Sequence, residues 1–182
     1  LPVLDDVEAP AALFGRDVLV IEPSDVAIFR EEYDRLLADD NPLATASYEL
    51  FRCLYRLVSD RAASEALQAP ESTGVAELAY HSHCQQRTLG LESHTVTLLE
   101  RLGYDVETSA VECCGMAESF GYKTEYYELS VDVGNRLADQ FAAGGMADRR
   151  VVASGTSCLA QLESLLDRTP SHPVEVVAPT LE

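Results

Sequence analysis

The sequence predicts an α/β fold: a parallel sheet of about four strands with helices on both faces and cysteines at its carboxyl edge. Two observations predict it. Short apolar segments alternate with longer segments of helical periodicity, and glycines follow two of the longer segments. The hydrophobic fraction of 47% and the charged fraction of 24% are typical of a globular protein. We expect residues 1–182 to form a single domain, since this length is enough to bury one core.

The strands and helices follow one another in a regular order. Apolar, β-branched segments predict strands at 17–22 (DVLVIE), 77–81 (ELAYH), 104–109 (YDVETS) and 150–153 (RVVA). Helical periodicity predicts helices at 26–37, 46–58, 91–102 and 126–141, the last two ending before Gly103 and before Gly144 and Gly145. Strands that alternate with helices form a parallel sheet covered on its faces.

Four of the five cysteines follow predicted strands. Cys84 comes just after the second strand, Cys113 and Cys114 after the third, and Cys158 after the fourth. The carboxyl ends of parallel strands share one edge of the sheet, where ligands bind. We therefore expect these four thiols to converge. Cys53 lies within a predicted helix and is expected to be a small apolar core residue.

The adjacent thiols of Cys113 and Cys114 suit a shared cofactor better than a disulfide. Neighbouring Cα atoms are about 3.8 Å apart, below the usual disulfide range of about 4.4–6.8 Å. Gly115 permits a tight turn that presents both thiols to one cofactor. Zinc accepts four thiolates, although its usual pairs of spaced cysteines are absent. Thiolates from several loops also hold iron–sulfur clusters, and a catalytic thiol would explain one cysteine but not four.

Other polar residues lie near the strand ends. His81 and His83 can hydrogen-bond a sulfur or replace a ligand, but we favour one capping the strand end and the other facing solvent. Asp25 can be a weak oxygen ligand, and we favour it as the N-cap of a helix that starts at Val26. The hydroxyl of Ser157 can support a nearby sulfur. The sequence contains no Ser-His-Asp order, P-loop or G-x-G-x-x-G, so a nucleotide site is not expected.

The charge is strongly acidic. Acidic residues outnumber basic ones by 31 to 13, giving a net charge of −18. This excess argues against binding to nucleic acid or to an anionic membrane surface. Because screening by salt relieves such self-repulsion, we expect a salt-loving source. Lys123 is the one lysine, and it can screen an anionic cofactor or be a solvated loop charge. No signal peptide and no apolar run of about 20 residues is present, so a cytoplasmic location is expected.

Five segments of the chain together resemble the cysteine-rich CCG family, which includes subunits of heterodisulfide reductase and of anaerobic glycerol-3-phosphate dehydrogenase and the iron–sulfur subunit of glycolate oxidase. They follow the family's order and are residues 21–37, 79–90, 112–130, 151–163 and 171–178. The most specific part is CCG-x4-FG-x-K, with H-x-x-C upstream and C-x-x-Q downstream.

The resemblance implies an electron-transfer module that does not turn over a substrate by itself. A [4Fe-4S]-type cluster would be held by Cys84, Cys113, Cys114 and Cys158, with FAD only on a partner dehydrogenase subunit or domain. Around the cluster, without ligating it, would lie His81, His83, Gly115 and Ser157. Electrons from a small hydroxy-compound would pass towards a quinone-type or membrane-anchored acceptor, at the inner face of the membrane. The chain, which lacks an initiator Met, would then be a fragment of a longer oxidoreductase.

The chain departs from the family's pattern at two positions. Asp25 and Gly155 stand where the family often has cysteines, so four thiols remain, enough for one cluster and not for two. Two rival functions therefore stay open. One is a heterodisulfide or thiol–disulfide reductase in which the cluster does the chemistry. The other is a structural zinc or metal-free domain that docks a flavoprotein.

Overall fold

The computed structural model describes residues 17–36, 41–58, 76–117 and 119–178. It confirms an α/β fold, and every strand pair in the described ranges is parallel. The strands are β1 (Val18–Val20), β2 (Ser47–Glu49), β3 (Ala76–His81), β4 (Tyr104–Thr108) and β5 (Arg150–Ala153).

The strands form two sheets rather than the one predicted. β3 lies between β4 and β5 in a three-stranded sheet, and β1 pairs with β2 in a two-stranded sheet. β2 occupies the start of the segment predicted as a helix at 46–58. There Ser47 and Glu49 are almost fully buried while Tyr48 between them is only half-buried, the alternation of a strand. β1 therefore completes its hydrogen bonds with β2 and does not extend the larger sheet.

The helices fill the connections. They are α1 (Pro23–Ala27), α2 (Tyr33–Leu36), α3 (Pro42–Ala46), α4 (Leu50–Val58), α5 (Cys84–Thr88), α6 (Glu92–Arg101), α7 (Tyr127–Ala142), α8 (Thr156–Leu165) and α9 (Pro173–Val177). A π-helical segment, Ile28–Glu32, joins α1 to α2, and the predicted end of that helix at Leu37 falls outside the described residues. α6 and α7 lie within one residue of their predicted bounds.

Helices cover both faces of the three-stranded sheet, as predicted. On one face, strand residues pack against α7 and α8: Ala79, Val151 and Ala153 against Leu137, Phe141 and Leu162. On the other face, strand residues pack against α4, α6 and α9: Leu78, Tyr80 and Val152 against Phe51, Leu98, Leu99, Val176 and Val177. Apolar burial on both faces supplies most of the stabilising free energy of such a sheet.

Glu22, two residues after the end of β1, links the small sheet to the large one. The carboxylate of Glu22 accepts hydrogen bonds from the backbone N–H of Thr156 (2.8 Å) and from its hydroxyl (2.9 Å), at the first turn of α8. Burial raises the pKa of Glu22, but the bonds from Thr156, together with His83 and Ser24, outweigh it and hold that pKa below its ordinary value. The link places α1 beside the carboxyl edge of the three-stranded sheet.

The predicted role of Asp25 as an N-cap is wrong. α1 begins at Pro23, and the N-cap position belongs to Glu22, whose side chain makes no capping bond to α1. Proline at the first helical position has no N–H to satisfy and a φ suited to a helix, so the helix starts three residues earlier than predicted. Asp25 lies within the first turn.

Candidate functional site

Four thiols from three strand ends meet at one cavity. Cys84 is the first residue of α5, Cys113 and Cys114 lie in the turn after β4, and Cys158 lies in the first turn of α8. All four line a cavity of about 190 Å³. The convergence predicted from the alternation of strands and helices is therefore present. All five cysteines are free thiols.

The four thiols form a deep pair and an outer pair. Cys114 and Cys158 are buried, with 5% and 1% of their surface exposed, whereas Cys84 and Cys113 are half-buried. Cys53 lies on α4, away from this cavity, and is also half-buried, so it is less enclosed than the core residue predicted.

The two thiols of the deep pair shift each other's pKa in opposite directions. The thiol of Cys158 donates a hydrogen bond to the sulfur of Cys114, and this bond, with a further contribution from His81, holds the pKa of Cys114 well below that of an ordinary thiol despite burial. The same bond and burial raise the pKa of Cys158 well above the ordinary range. Cys114 is thus the more acidic thiol of the pair and Cys158 the less acidic one.

Each thiol of the outer pair lies close to a polar group of a residue near it in the sequence. The backbone N–H of Gly115 donates to Cys113 Sγ over 3.3 Å. Cys84 Sγ lies 4.0 Å from His83 Nδ1. Burial, followed by the neighbouring charges of Cys113 and Cys114, raises the pKa of Cys84. Cofactor binding at Cys84 would therefore release a proton.

Gly115 is required by both its backbone and its packing. Its φ is +96°, in the region that favours glycine. A Cβ at this position would also clash with the carbonyl oxygen of Ser130 on α7. Opposite it, a Cβ on Gly134 would lie 3.0 Å from the carbonyl oxygen of Cys114. Glycines on both sides let the turn with the two cysteines lie directly against α7.

His81 is buried behind the deep pair. Its Nδ1 lies 2.8 Å from the hydroxyl of Ser109. Its Nε2 is buried and, among the described residues, makes no hydrogen bond of full geometry, although it lies close enough to Cys114 to interact with that sulfur. Burial, as the largest effect, lowers the pKa of His81 and favours a neutral imidazole.

His83 has a different role. It is the N-cap of α5, where Nδ1 accepts the backbone N–H of Gln85 over 3.2 Å, and its Nε2 lies 3.8 Å from the carboxylate of Glu22. The expectation that one histidine caps a strand end and the other faces solvent is wrong, because His81 and His83 are both buried and His83 caps a helix. Side chains of loops distant in sequence enclose both rings.

The imidazole of His83 fills the space beside Gly155. A Cβ on Gly155 would clash with the His83 ring, so the place where the family often has another cysteine is taken by this side chain. Ser157 is half-buried and lines the thiol cavity, as does Ser24. Lys123 is exposed and is not among the residues that line the cavity.

Sequence reasoning missed a buried polar network beneath the site. The side-chain oxygen of Gln86 accepts hydrogen bonds from the hydroxyls of Tyr80 (2.6 Å), Ser82 (2.7 Å) and Ser154 (2.9 Å). Ser154 Oγ in turn accepts the backbone N–H of His83 over 2.9 Å. The network ties the loop after β3 to the loop after β5, which fixes Cys84 relative to Cys158. Nothing in the motif HCQQ marks its second glutamine as the buried one.

The donor set fits a cofactor bound by thiolates. It offers four thiols, a backbone N–H on one sulfur and an unpartnered imidazole nitrogen beside another. Within the described ranges, no three His, Cys, Asp or Glu side chains are grouped tightly enough to hold a single metal ion. The site is therefore a cavity lined by sulfur rather than a ready-made site for one ion.

Comparison with known proteins confirms the family resemblance. Residues 78–163, which include all four thiols of the cavity, match the cysteine-rich domain family CCG. No solved structure matches the chain significantly.

Longer curated proteins are similar to the chain over most of its length. It is 28% identical to a subunit of the anaerobic glycerol-3-phosphate dehydrogenase of Escherichia coli over 180 residues, which cover 98% of this chain and 44% of that protein. It is 26% identical to D-2-hydroxyglutarate dehydrogenase of Escherichia coli over 169 residues, which cover 91% of this chain and 16% of that protein. The D-2-hydroxyglutarate dehydrogenase of Pseudomonas putida is also 26% identical, over 168 residues. The chain thus spans less than half of each of these relatives.

Proposed function

We propose that this chain, with its CCG domain, is the iron–sulfur module of a flavin-linked dehydrogenase, and that Cys84, Cys113, Cys114 and Cys158 hold a [4Fe-4S]-type cluster. The observation that carries the proposal is the single cavity lined by four thiols from three strand ends. Such a cluster, when bound, carries one electron at a time between a donor and an acceptor. The match to the CCG family supports this function over a catalytic thiol, which needs one cysteine and not four.

The four thiols differ in their surroundings before they bind the proposed cluster. The pKa of Cys114 is well below that of an ordinary thiol, and Cys113 Sγ accepts the backbone N–H of Gly115. Cys84 and Cys158 have raised pKa values, so they would each release a proton on binding. Cluster loading should consequently become weaker at acid pH.

The partner that we propose is a flavoprotein subunit or domain that oxidises a small hydroxy-compound. The relatives are named as dehydrogenases of glycerol-3-phosphate and of D-2-hydroxyglutarate, and one of them is named as a subunit. FAD would belong to that partner, and the acceptor would be a quinone-type compound. None of the described helices is long and apolar enough to cross a membrane. We propose a cytoplasmic location, with any membrane contact made through partners.

A second candidate is a thiol–disulfide reductase. The interaction between the sulfurs of Cys114 and Cys158 favours it, because it lowers the pKa of one thiol and raises that of the other, as in dithiol chemistry. Both sulfurs are almost fully buried, which restricts access by a disulfide substrate. We therefore place this function second.

Metal analysis after anaerobic reconstitution tests the proposal. We expect about four irons and four acid-labile sulfides per chain, with a brown visible spectrum, as four-thiolate ligation of a [4Fe-4S] cluster requires. Cys113→Ser and Cys158→Ser should lose most of the iron. Cys53→Ser is the matched control and should keep it, because Cys53 lies outside the cavity.

Three results would overturn the proposal or replace it. A folded chain that takes up no iron contradicts it. Zinc at one equivalent per chain with no sulfide would favour a structural site instead. Turnover of a disulfide substrate by the metal-free protein, lost in Cys114→Ser, would favour the reductase.

A further inference from the structure

A buried row of polar side chains leads from the surface of α5 to the deep pair of thiols. It consists of Arg87 on α5, Ser109 after β4 and His81 at the end of β3. We propose that these three residues form a one-way series of hydrogen-bond donors that ends on Cys114 Sγ, with His81 as a positioning residue for this sulfur. The inference rests on the proposed function, since it concerns one ligand of the proposed cluster.

Arg87, at the outer end of the series, sets the direction in which the hydrogen bonds are donated. A guanidinium can only donate, and Arg87 Nη2 lies 2.9 Å from the carbonyl oxygen of Ser109 and 3.1 Å from its Oγ. Ser109 Oγ therefore accepts from Arg87. Glu92 holds the same guanidinium through an ion pair of 3.0 Å at Nε, which keeps Arg87 in place.

The hydroxyl of Ser109 is the next donor in the series. Ser109 Oγ has one proton to donate, and it lies 2.8 Å from His81 Nδ1 and 3.3 Å from the carbonyl oxygen of Val111. Within this proposal the proton of Ser109 goes to His81 Nδ1, the shorter of its two possible acceptor contacts. Nδ1 of His81 is then an acceptor.

The ring of His81 makes the last hydrogen bond of the series. A neutral imidazole that accepts at Nδ1 carries its proton on Nε2. In His81 that nitrogen is buried and has no fully formed hydrogen bond in the described part of the chain, while Cys114 lies beside it. A buried N–H without a partner is unfavourable, so the sulfur of Cys114 is the acceptor that completes the series of hydrogen bonds.

His81 and His83 differ in what their ring nitrogens contact. Nδ1 of His83 is occupied as the cap of α5 and its Nε2 faces Glu22, so His83 organises the loop. Of the two, His81 is the one that interacts with Cys114 of the deep pair. Hydrogen bonds to the sulfurs raise the reduction potential of a cluster, because they stabilise the more negative reduced form.

Two measurements test the inference. In the metal-free chain, long-range ¹H–¹⁵N NMR should show His81 protonated at Nε2 and bare at Nδ1, with the signals assigned by their loss in His81→Leu. In the reconstituted protein, His81→Leu should keep its iron but lower the midpoint potential. At a fixed potential near the midpoint, the ratio of oxidised to reduced cluster should rise about tenfold, equivalent to about 59 mV for one electron.

Further variants of the residues in the hydrogen-bond series, and one control variant, make the test more specific. His81→Gln can still present an N–H to the sulfur and should restore part of the potential. Ser109→Ala removes the acceptor for Arg87 and the donor for Nδ1, so it should shift the potential in the same direction as His81→Leu. His94→Leu, on α6 beside Tyr55, is the matched histidine control and should leave the potential unchanged.

Distinct results would overturn the inference and the proposed function. A His81 protonated at Nδ1, or an unchanged potential in both His81→Leu and Ser109→Ala, overturns the donor chain even if iron is bound. An unmodified chain that binds no iron overturns the proposed function, while the NMR measurement still decides the tautomer. If His81→Leu fails to fold, Ser109→Ala and the tautomer decide the outcome.

Discussion

Two glycines lie near the thiols, and the lack of a side chain has a different effect at each. Gly115 lets the backbone turn and lie against α7, and it accords with the sequence prediction of a tight turn. Gly155 has an ordinary φ of −116°, and its missing side chain leaves room for the ring of His83. The sequence indicated that a family thiol is absent at Gly155 but could not indicate what replaces it, because His83 lies 72 residues away in the chain.

The contact between His83 and Gly155 predicts a coupled pair of substitutions. Gly155→Cys alone should destabilise the fold by about 1–3 kcal/mol, because the new Cβ clashes with a buried ring. His83→Ala alone should cost about 1 kcal/mol through loss of the cap on α5. In the double variant the costs should sum to less, with a coupling of about 0.5–3 kcal/mol. A double-mutant cycle of urea unfolding measures it, and strictly additive costs would contradict the contact.

At the scale of elements, segments with an apolar pattern were predictable, and β2, which lacks one, was not. Strands β3, β4 and β5 and helices α6 and α7 each bury a repeating apolar pattern, which the sequence displays. β2 has three residues, two of them the buried polar residues Ser47 and Glu49, so its strand character comes from pairing with β1 and not from its own pattern. The division into two sheets follows from that pairing.

Glu49 of β2 predicts how stability depends on pH. Burial raises its pKa above the ordinary value of 4.5, despite bonds from the N–H of Arg52 (2.9 Å) and from Gln86 (3.4 Å). The folded state thus holds the Glu49 proton more tightly than the unfolded chain. Its contribution to stability is full below the unfolded pKa and is lost as pH rises through the folded pKa.

Replacing this carboxyl group should remove that dependence. Glu49→Gln keeps a side-chain oxygen for the N–H of Arg52 and cannot ionise. We expect its free energy of unfolding to fall less steeply between about pH 4.5 and pH 7 than in the unmodified protein. Glu163→Gln, at an exposed site on α8, is the control. Equal pH slopes in Glu49→Gln and the unmodified protein would contradict the shifted pKa.

For the whole molecule, the net charge of −18 predicts a strong effect of salt. Mutual repulsion of surface carboxylates disfavours the compact state, and it is screened over about 10 Å at 0.1 M and about 3 Å at 1 M ionic strength. Raising KCl from 0.1 M to 2 M should therefore raise the thermal midpoint by several degrees, since about 1 kcal/mol shifts it by 2–4 °C in a protein of this size. Calorimetry measures this. A midpoint that falls or stays constant would contradict the prediction of a salt-adapted protein.

The candidate site also has predictable and unpredictable parts at this scale. Convergence of the thiols follows from the order of strands and helices alone. The division into deep and outer pairs, the Gln86 network and the direction of the bonds through Ser109 depend on loops that meet only in the folded molecule. Sequence patterns show periodicity along the chain, and they do not show which loops will contact one another in the folded protein.

The bond between Glu22 and Thr156 bears on the order of events during synthesis. It joins residues separated by 134 positions, and the fourth thiol of the cavity, Cys158, lies two residues beyond it. A ribosome-bound chain that has emerged only as far as Cys114 cannot yet present the complete cavity. Loading of the proposed cofactor is accordingly a late event, which follows closure of the fold and reports that the polypeptide has been made beyond α8.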